Sequence, residues 1–284
     1  MSPRLPTLFF LAAGIAALSA SASLADCKRL ATDARAAIGT GAVARYDALY
    51  AAIKAEPSCD DKFRAQLGRT MARSLLTKLP TDSDPATIAA ALRFGRPWQV
   101  LVALGDAYYD RQDFASAGDA YQEALGDMGD STANPTPPQD SVVARVQRRA
   151  LQSGALVPAN DMFASRGFAS ATRTAPAVIA FFAAGSADLG SVGKAGVKAA
   201  FAGIEKAAAK SLVVIGHADP DEAPEIAEAR ARAVAAYLDE LGYAGRIETV
   251  GRGSDEPFAA DEPDKLTSEQ RARLERRVEY APGG

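Results

Sequence analysis

The stretch VVIGHADPDEAPEIAEARARAVAAYL (213–238) joins an apolar run, a short acidic loop and an amphipathic helix without a break. The first part has the length and β-branched character of a buried strand. The loop carries Asp219 just past the strand's carboxyl end, the edge where ligands settle in open α/β folds. In the helix, Ile226, Ala233, Val234, Tyr237, Leu238 and Leu241 form the apolar stripe, and Arg230 interrupts it four residues after Ile226 and four before Val234. Two placements of Arg230 fit this spacing. Its guanidinium can approach Asp219, or its stem can lie on the core edge with the head in water. Arg232, four residues after Glu228, faces outward as an ordinary solvated pair.

The same grammar continues on both sides. AVIAFF (177–182), SLVVIG (211–216), RIETVG (246–251) and RRVEYA (276–281) read as strands, with helices expected over 192–209 and 223–241. Strands alternating with helices predict a small α/β domain whose sheet is covered by helices on one face. Upstream, from Asp26 to about residue 155, the pattern is helical instead. RYDALYAAI (45–53) stops at Glu56-Pro57-Ser58, and FRAQLGRTMARSLLTKL (63–79) aligns Phe63, Leu67, Met71, Leu75 and Leu76 before Pro80 ends it.

WQVLVALGDAYYDRQDFASAGDAYQEAL (98–125) resembles one tetratricopeptide repeat. Leu104-Gly105 and Tyr108 fit its first helix; Phe114, Ala117, Tyr121 and Ala124 fit its second. Small residues at 105, 117 and 124 allow two antiparallel helices to approach closely. A single repeat cannot bury its own face, so flanking helices must complete the stack. SVVARVQRRALQSGA (141–155) supplies one, after the Gly- and Pro-rich loop GDMGDSTANPTPPQD (126–140). Such stacks hold a protein or peptide partner, or serve only as scaffold.

The first residues follow the order of a secretory leader: Arg4, an apolar run over 8–20, then SASLA. Ser23 and Ala25 place the expected cut after Ala25. The apolar run is short of the roughly 20 residues that a spanning helix needs. Lipidation at Cys27 calls for a small residue immediately before it, and Asp26 stands there. Cys27 and Cys59 are the two cysteines of the chain, and an exported protein is expected to join them as a disulfide. A metal pair would lack further ligands nearby, since the sole histidine is His217. A net charge of −3 with 24 % charged residues gives no basic field for nucleic acid.

Five segments in order resemble the OmpA-like (OmpA/MotB C-terminal) peptidoglycan-binding domain. They are FFAAGSADL (181–189), VVIGHAD (213–219), RARAVAAYLDELGY (230–243), GRGSDEP (251–257) and ERRVE (275–279). The resemblance implies a βαβαββ two-layer α/β sandwich over 176–284; the patterns upstream divide the rest into a leader (1–25), a helical tetratricopeptide-like domain (26–158) and a linker (159–175). It also implies non-covalent capture of the stem peptide through meso-diaminopimelate, without a cofactor. By position, Asp219 would meet the ligand ammonium and Arg230 its carboxylate, the guanidinium fork matching two oxygens. His217 and Ala218 would line the site, and Arg276 would contribute. The chain departs from the family pattern at four points. Ala218 replaces a threonine, the loop from Asp219 to Arg230 is about four residues shorter, an asparagine before the helix has no match, and Glu275 stands before the paired arginines.

An enzyme is disfavoured. His217 has no serine or cysteine nucleophile in a suggestive motif beside it, and GRG (251–253) is too short for a phosphate loop. Asp219 and Asp221 fit a solvated acidic loop better than an acid–base pair. The sequence therefore predicts a periplasmic protein of a Gram-negative bacterium, associated with the cell wall or outer membrane. Its OmpA-like domain tethers a helical interaction module to peptidoglycan. The rival expectation is an interaction scaffold whose OmpA-like domain has lost its ligand.

Overall fold

The computed structural model describes residues 19–157 and 177–283. The expected leader falls largely, and the expected linker (159–175) entirely, outside the described residues. The chain divides into two compact units, the first ending at Val100 and the second beginning at Leu101.

The first unit is helical: α1 (Ser19–Thr40), α2 (Tyr46–Ala55), α3 (Asp61–Leu76) and α4 (Pro85–Ala89). Local chemistry sets the starts. Asp60 caps α3 by accepting from the Phe63 N–H, and Asp84 caps α4 ahead of Pro85, whose missing N–H costs nothing at a first helical position. Tyr46, Ile53, Met71 and Ala72 are fully buried, and Phe94 stands edge-on to both Tyr46 and Tyr50. Cys27 and Cys59 are joined, tying α1 to the turn before α3 across 32 residues.

The α5 (Trp98–Asp110) and α6 (Phe114–Met128) helices are where the repeat-like segment predicts them. Gly105 explains how close they come. A Cβ there would meet the Tyr121 ring at 2.6 Å, and the Tyr121 hydroxyl reaches past it to donate to Asp106 Oδ1 at 2.7 Å. The following helix, α7 (Asp140–Leu156), packs along α6. Its Gln152 exchanges two hydrogen bonds with the backbone of Asp261, at 2.9 and 3.0 Å.

The remainder is the mixed α/β domain: β1 (Ala177–Phe181), α8 (Gly190–Lys206), β2 (Ser211–Gly216), α9 (Glu225–Glu240), β3 (Arg246–Gly251), α10 (Ser268–Glu275) and β4 (Arg277–Pro282). The sheet order is β1-β4-β2-β3, with β4 antiparallel to both neighbours and β2 parallel to β3. Along β2, Leu212, Val214 and Gly216 are buried while the alternate residues are less so, the period-two signature of a sheet covered on one face. There Val197, Ile204, Val234 and Leu238 from α8 and α9 meet Leu212, Val214 and Val278.

One contact positions the site. A Cβ at Gly216 would lie 1.8 Å from the Ala227 carbonyl oxygen, so only glycine lets the end of β2 touch the first turn of α9. The α10 helix, between β3 and β4, has no counterpart in the sequence reading.

Candidate functional site

The carboxyl end of β2 leads into a loop that runs from His217 to Pro224, where α9 begins. Two backbone bonds fix its first residues. His217 N–H donates to the Arg277 carbonyl at 2.9 Å and Ala218 N–H to the Gly253 carbonyl at 2.8 Å. At Asp219 the chain turns: Oδ1 accepts from the Asp221 N–H at 2.9 Å, and the Asp219 carbonyl accepts from the Glu222 N–H at 3.1 Å. That turn folds the Glu222 side chain back toward α9.

Arg230 is fully buried, at 0 % exposure. Its five N–H donors are all engaged. Nε donates to the Ser186 carbonyl at 2.9 Å, and Nη1 and Nη2 reach the carbonyls of His217 (3.0 Å) and Ala183 (3.2 Å). The remaining two form a fork to Glu222, Nη1 to Oε2 and Nη2 to Oε1, each 2.6 Å. The guanidinium also lies over the Phe182 ring at 5.4 Å. Glu222 receives two further donors, the Gly185 N–H on Oε1 at 2.7 Å and the Asp219 N–H on Oε2 at 3.1 Å. Burial works to raise the Glu222 carboxyl pKa, but the bonds from Arg230, Gly185 and Asp219 outweigh it and hold the pKa below its ordinary value.

Asp219 takes a different cation. Its Oδ2 accepts from Arg276 Nη1 at 2.9 Å, with both side chains buried, and Arg276 Nη2 continues to the exposed Glu269 at 2.9 Å. Asp219 and Arg230 are thus linked through Glu222 rather than to each other. His217 is 1 % exposed and neither ring nitrogen has a hydrogen-bond partner; Glu279 Oε2 is 3.9 Å from Nε2. Burial first, and the Arg277 charge second, push its pKa down to about 4. The imidazole is therefore neutral at physiological pH.

Glu275 adds no free charge here. It accepts from Arg277 Nη1 at 3.1 Å and from the Phe258 N–H at 3.0 Å. Arg232 pairs with Glu228 at 3.1 Å and is well exposed, as its spacing predicts. Sequence reasoning passed over Glu222, since nothing in PDEAPE marks it apart from Asp221 or Glu225. No group of three or more His, Cys, Asp or Glu side chains suited to a metal ion exists among the described residues. No helix among them is long and apolar enough to cross a membrane.

The α/β domain has a counterpart among known families. The model of the OmpA family matches residues 181–273. Residues 181–273 form an OmpA family domain. The OmpA-like domain of FopA1 from Francisella tularensis subsp. tularensis SCHU S4 is similar at 25 % identity over 36 % of this chain and 70 % of that one, with a TM-score of 0.31. No curated protein matches the chain. Asp219, Arg230, His217 and Ala218 fall within the matched residues, Arg276 lies just past them, and the helical region precedes the domain.

Proposed function

We propose that this is a non-catalytic, exported protein that binds peptidoglycan through its OmpA-like domain and presents its helical region to a protein or peptide partner. The OmpA family match over 181–273 carries the reading, because the family binds the cell wall. The disulfide between Cys27 and Cys59 fits an oxidising compartment such as the periplasm. In this reading residues 1–25 are a leader, 26–158 the tetratricopeptide-like module, 159–175 a linker and 176–284 the wall-binding domain. The ligand is the diaminopimelate of the stem peptide, whose ammonium and carboxylate are recognised around Asp219, Arg230 and Arg276, with His217 and Ala218 shaping the loop. A second reading, a scaffold whose OmpA-like domain no longer holds peptidoglycan, is favoured by one observation: every Arg230 donor already has a partner within the chain.

Co-sedimentation of the full chain with purified diaminopimelate-type peptidoglycan tests both. Pelleting above a control lacking peptidoglycan supports the wall tether. Retention in the supernatant at physiological salt supports the scaffold.

A further inference from the structure

Four N–H donors converge on the two oxygens of one carboxylate: both arms of the Arg230 guanidinium, the Gly185 N–H and the Asp219 N–H. Such a planar fork with two backbone donors matches any carboxylate, whether it belongs to the chain or arrives from outside. The occupant is Glu222, whose side chain is 8 % exposed. The cradle lies only one side chain below the surface, since Pro220, Asp221, Ala223 and Pro224 on the same loop are exposed, and so is Gly185 opposite. Three carbonyls hold the guanidinium from behind, so its orientation does not depend on Glu222 alone.

We propose that this cradle is a carboxylate-binding site and that Glu222 is its resident occupant, a built-in competitor of any carboxylate ligand. A ligand carboxylate reaches Arg230 only in the fraction of molecules whose Glu222 has swung out, and its apparent affinity falls by that fraction. Glu222 thereby sets how tightly the domain holds a carboxylate and which carboxylates it holds. A monodentate or sterically hindered one cannot replace a fork that already satisfies four donors. The cradle itself stands on the geometry alone; its use by stem peptides rests on the wall-binding reading.

The test replaces Glu222 in the full chain. In Glu222→Ala, acetate at tens of millimolar raises the melting temperature by several degrees, while acetamide, its neutral isostere, and chloride do not. Wild type responds to none of them. Free meso-diaminopimelate then binds Glu222→Ala at least roughly tenfold more tightly than wild type, and Glu222→Gln, which keeps the shape and loses the charge, falls between. Acetate no better than acetamide on Glu222→Ala overturns the proposal, as does diaminopimelate that binds measurably and equally to wild type and variant. Should Glu222→Ala fail to fold, Glu222→Gln carries the same comparison of acetate with acetamide. Acetate rescue without binding of wall fragments by any variant leaves the cradle standing and removes the wall-binding reading.

Discussion

Asp219 and Arg276 form a buried ion pair, Oδ2 to Nη1 at 2.9 Å, with each side chain only 5 % exposed. It lies next to a second buried pair, Glu222 with Arg230, and the Asp219 N–H donates from one to the other at 3.1 Å. Removing one member of such a pair leaves an uncompensated charge where water cannot reach it. Removing both is far milder.

Arg276→Ala is therefore expected to lower the unfolding free energy by about 3–5 kcal/mol. Asp219→Ala/Arg276→Ala should lose clearly less than the sum of its two singles. Urea unfolding of the four proteins gives the coupling. Additive single effects would mean that the pair contributes no interaction of its own.

The strands were legible because β2 and β3 keep their period-two or apolar runs between plain turn signals, and both lie where the sequence places them. The α10 helix was not. Leu274 is its one buried residue, so no apolar stripe announces it; a Thr267–Gln270 capping box holds its start instead. At the site, the sequence shows that Arg230 breaks the stripe but not what it meets. The choice among Asp219, water and Glu222 is made by the turn at Asp219, which swings an acidic side chain inward. That turn depends on side-chain hydrogen bonds, which periodicity does not encode.

His217 makes stability depend on pH in a defined window. Its pKa is about 4 in the folded protein against an ordinary 6.5, burial being the main cause. Above pH 6.5 neither state carries the proton, and below 4 both do. Between these values the unfolded chain binds a proton that the folded one refuses, so stability falls as pH drops from about 6.5 to about 4. The full loss is roughly 3 kcal/mol. Thermal unfolding across this range should show the slope, and replacing His217 by Asn should flatten it. An unchanged slope in that variant would assign the dependence to other groups.

Gly105→Ala should destabilise despite alanine's better helix propensity. The added methyl would sit 2.6 Å from the Tyr121 ring, which is buried and held at its hydroxyl by Asp106. Overpacking of this kind costs about 1–3 kcal/mol. Pairing it with Tyr121→Leu, which frees the space, should recover part of the loss in chemical denaturation.

Reduction of the Cys27–Cys59 bridge frees a loop spanning 32 residues. In the chain-entropy picture this weakens the folded state by about 3–4 kcal/mol. Guanidinium titrations with and without dithiothreitol should show the shift, and a Cys27→Ser/Cys59→Ser variant should match the reduced protein and ignore the reductant.

Arg230→Lys separates the shape of the arginine from its charge. A lysine ammonium keeps one positive charge but has three donors on a single nitrogen, and the buried site asks for five bonds in a plane. It can meet Glu222 or the carbonyls of Ala183, Ser186 and His217, not all of them. At least one buried carbonyl then loses its partner, at about 1–3 kcal/mol for each group left unsatisfied. The Glu222 carboxylate also loses its two-pronged contact. Arg230→Lys should accordingly unfold at distinctly lower urea than wild type. A lysine variant as stable as wild type would show that charge alone holds the loop, and the carboxylate cradle would lose its geometric basis.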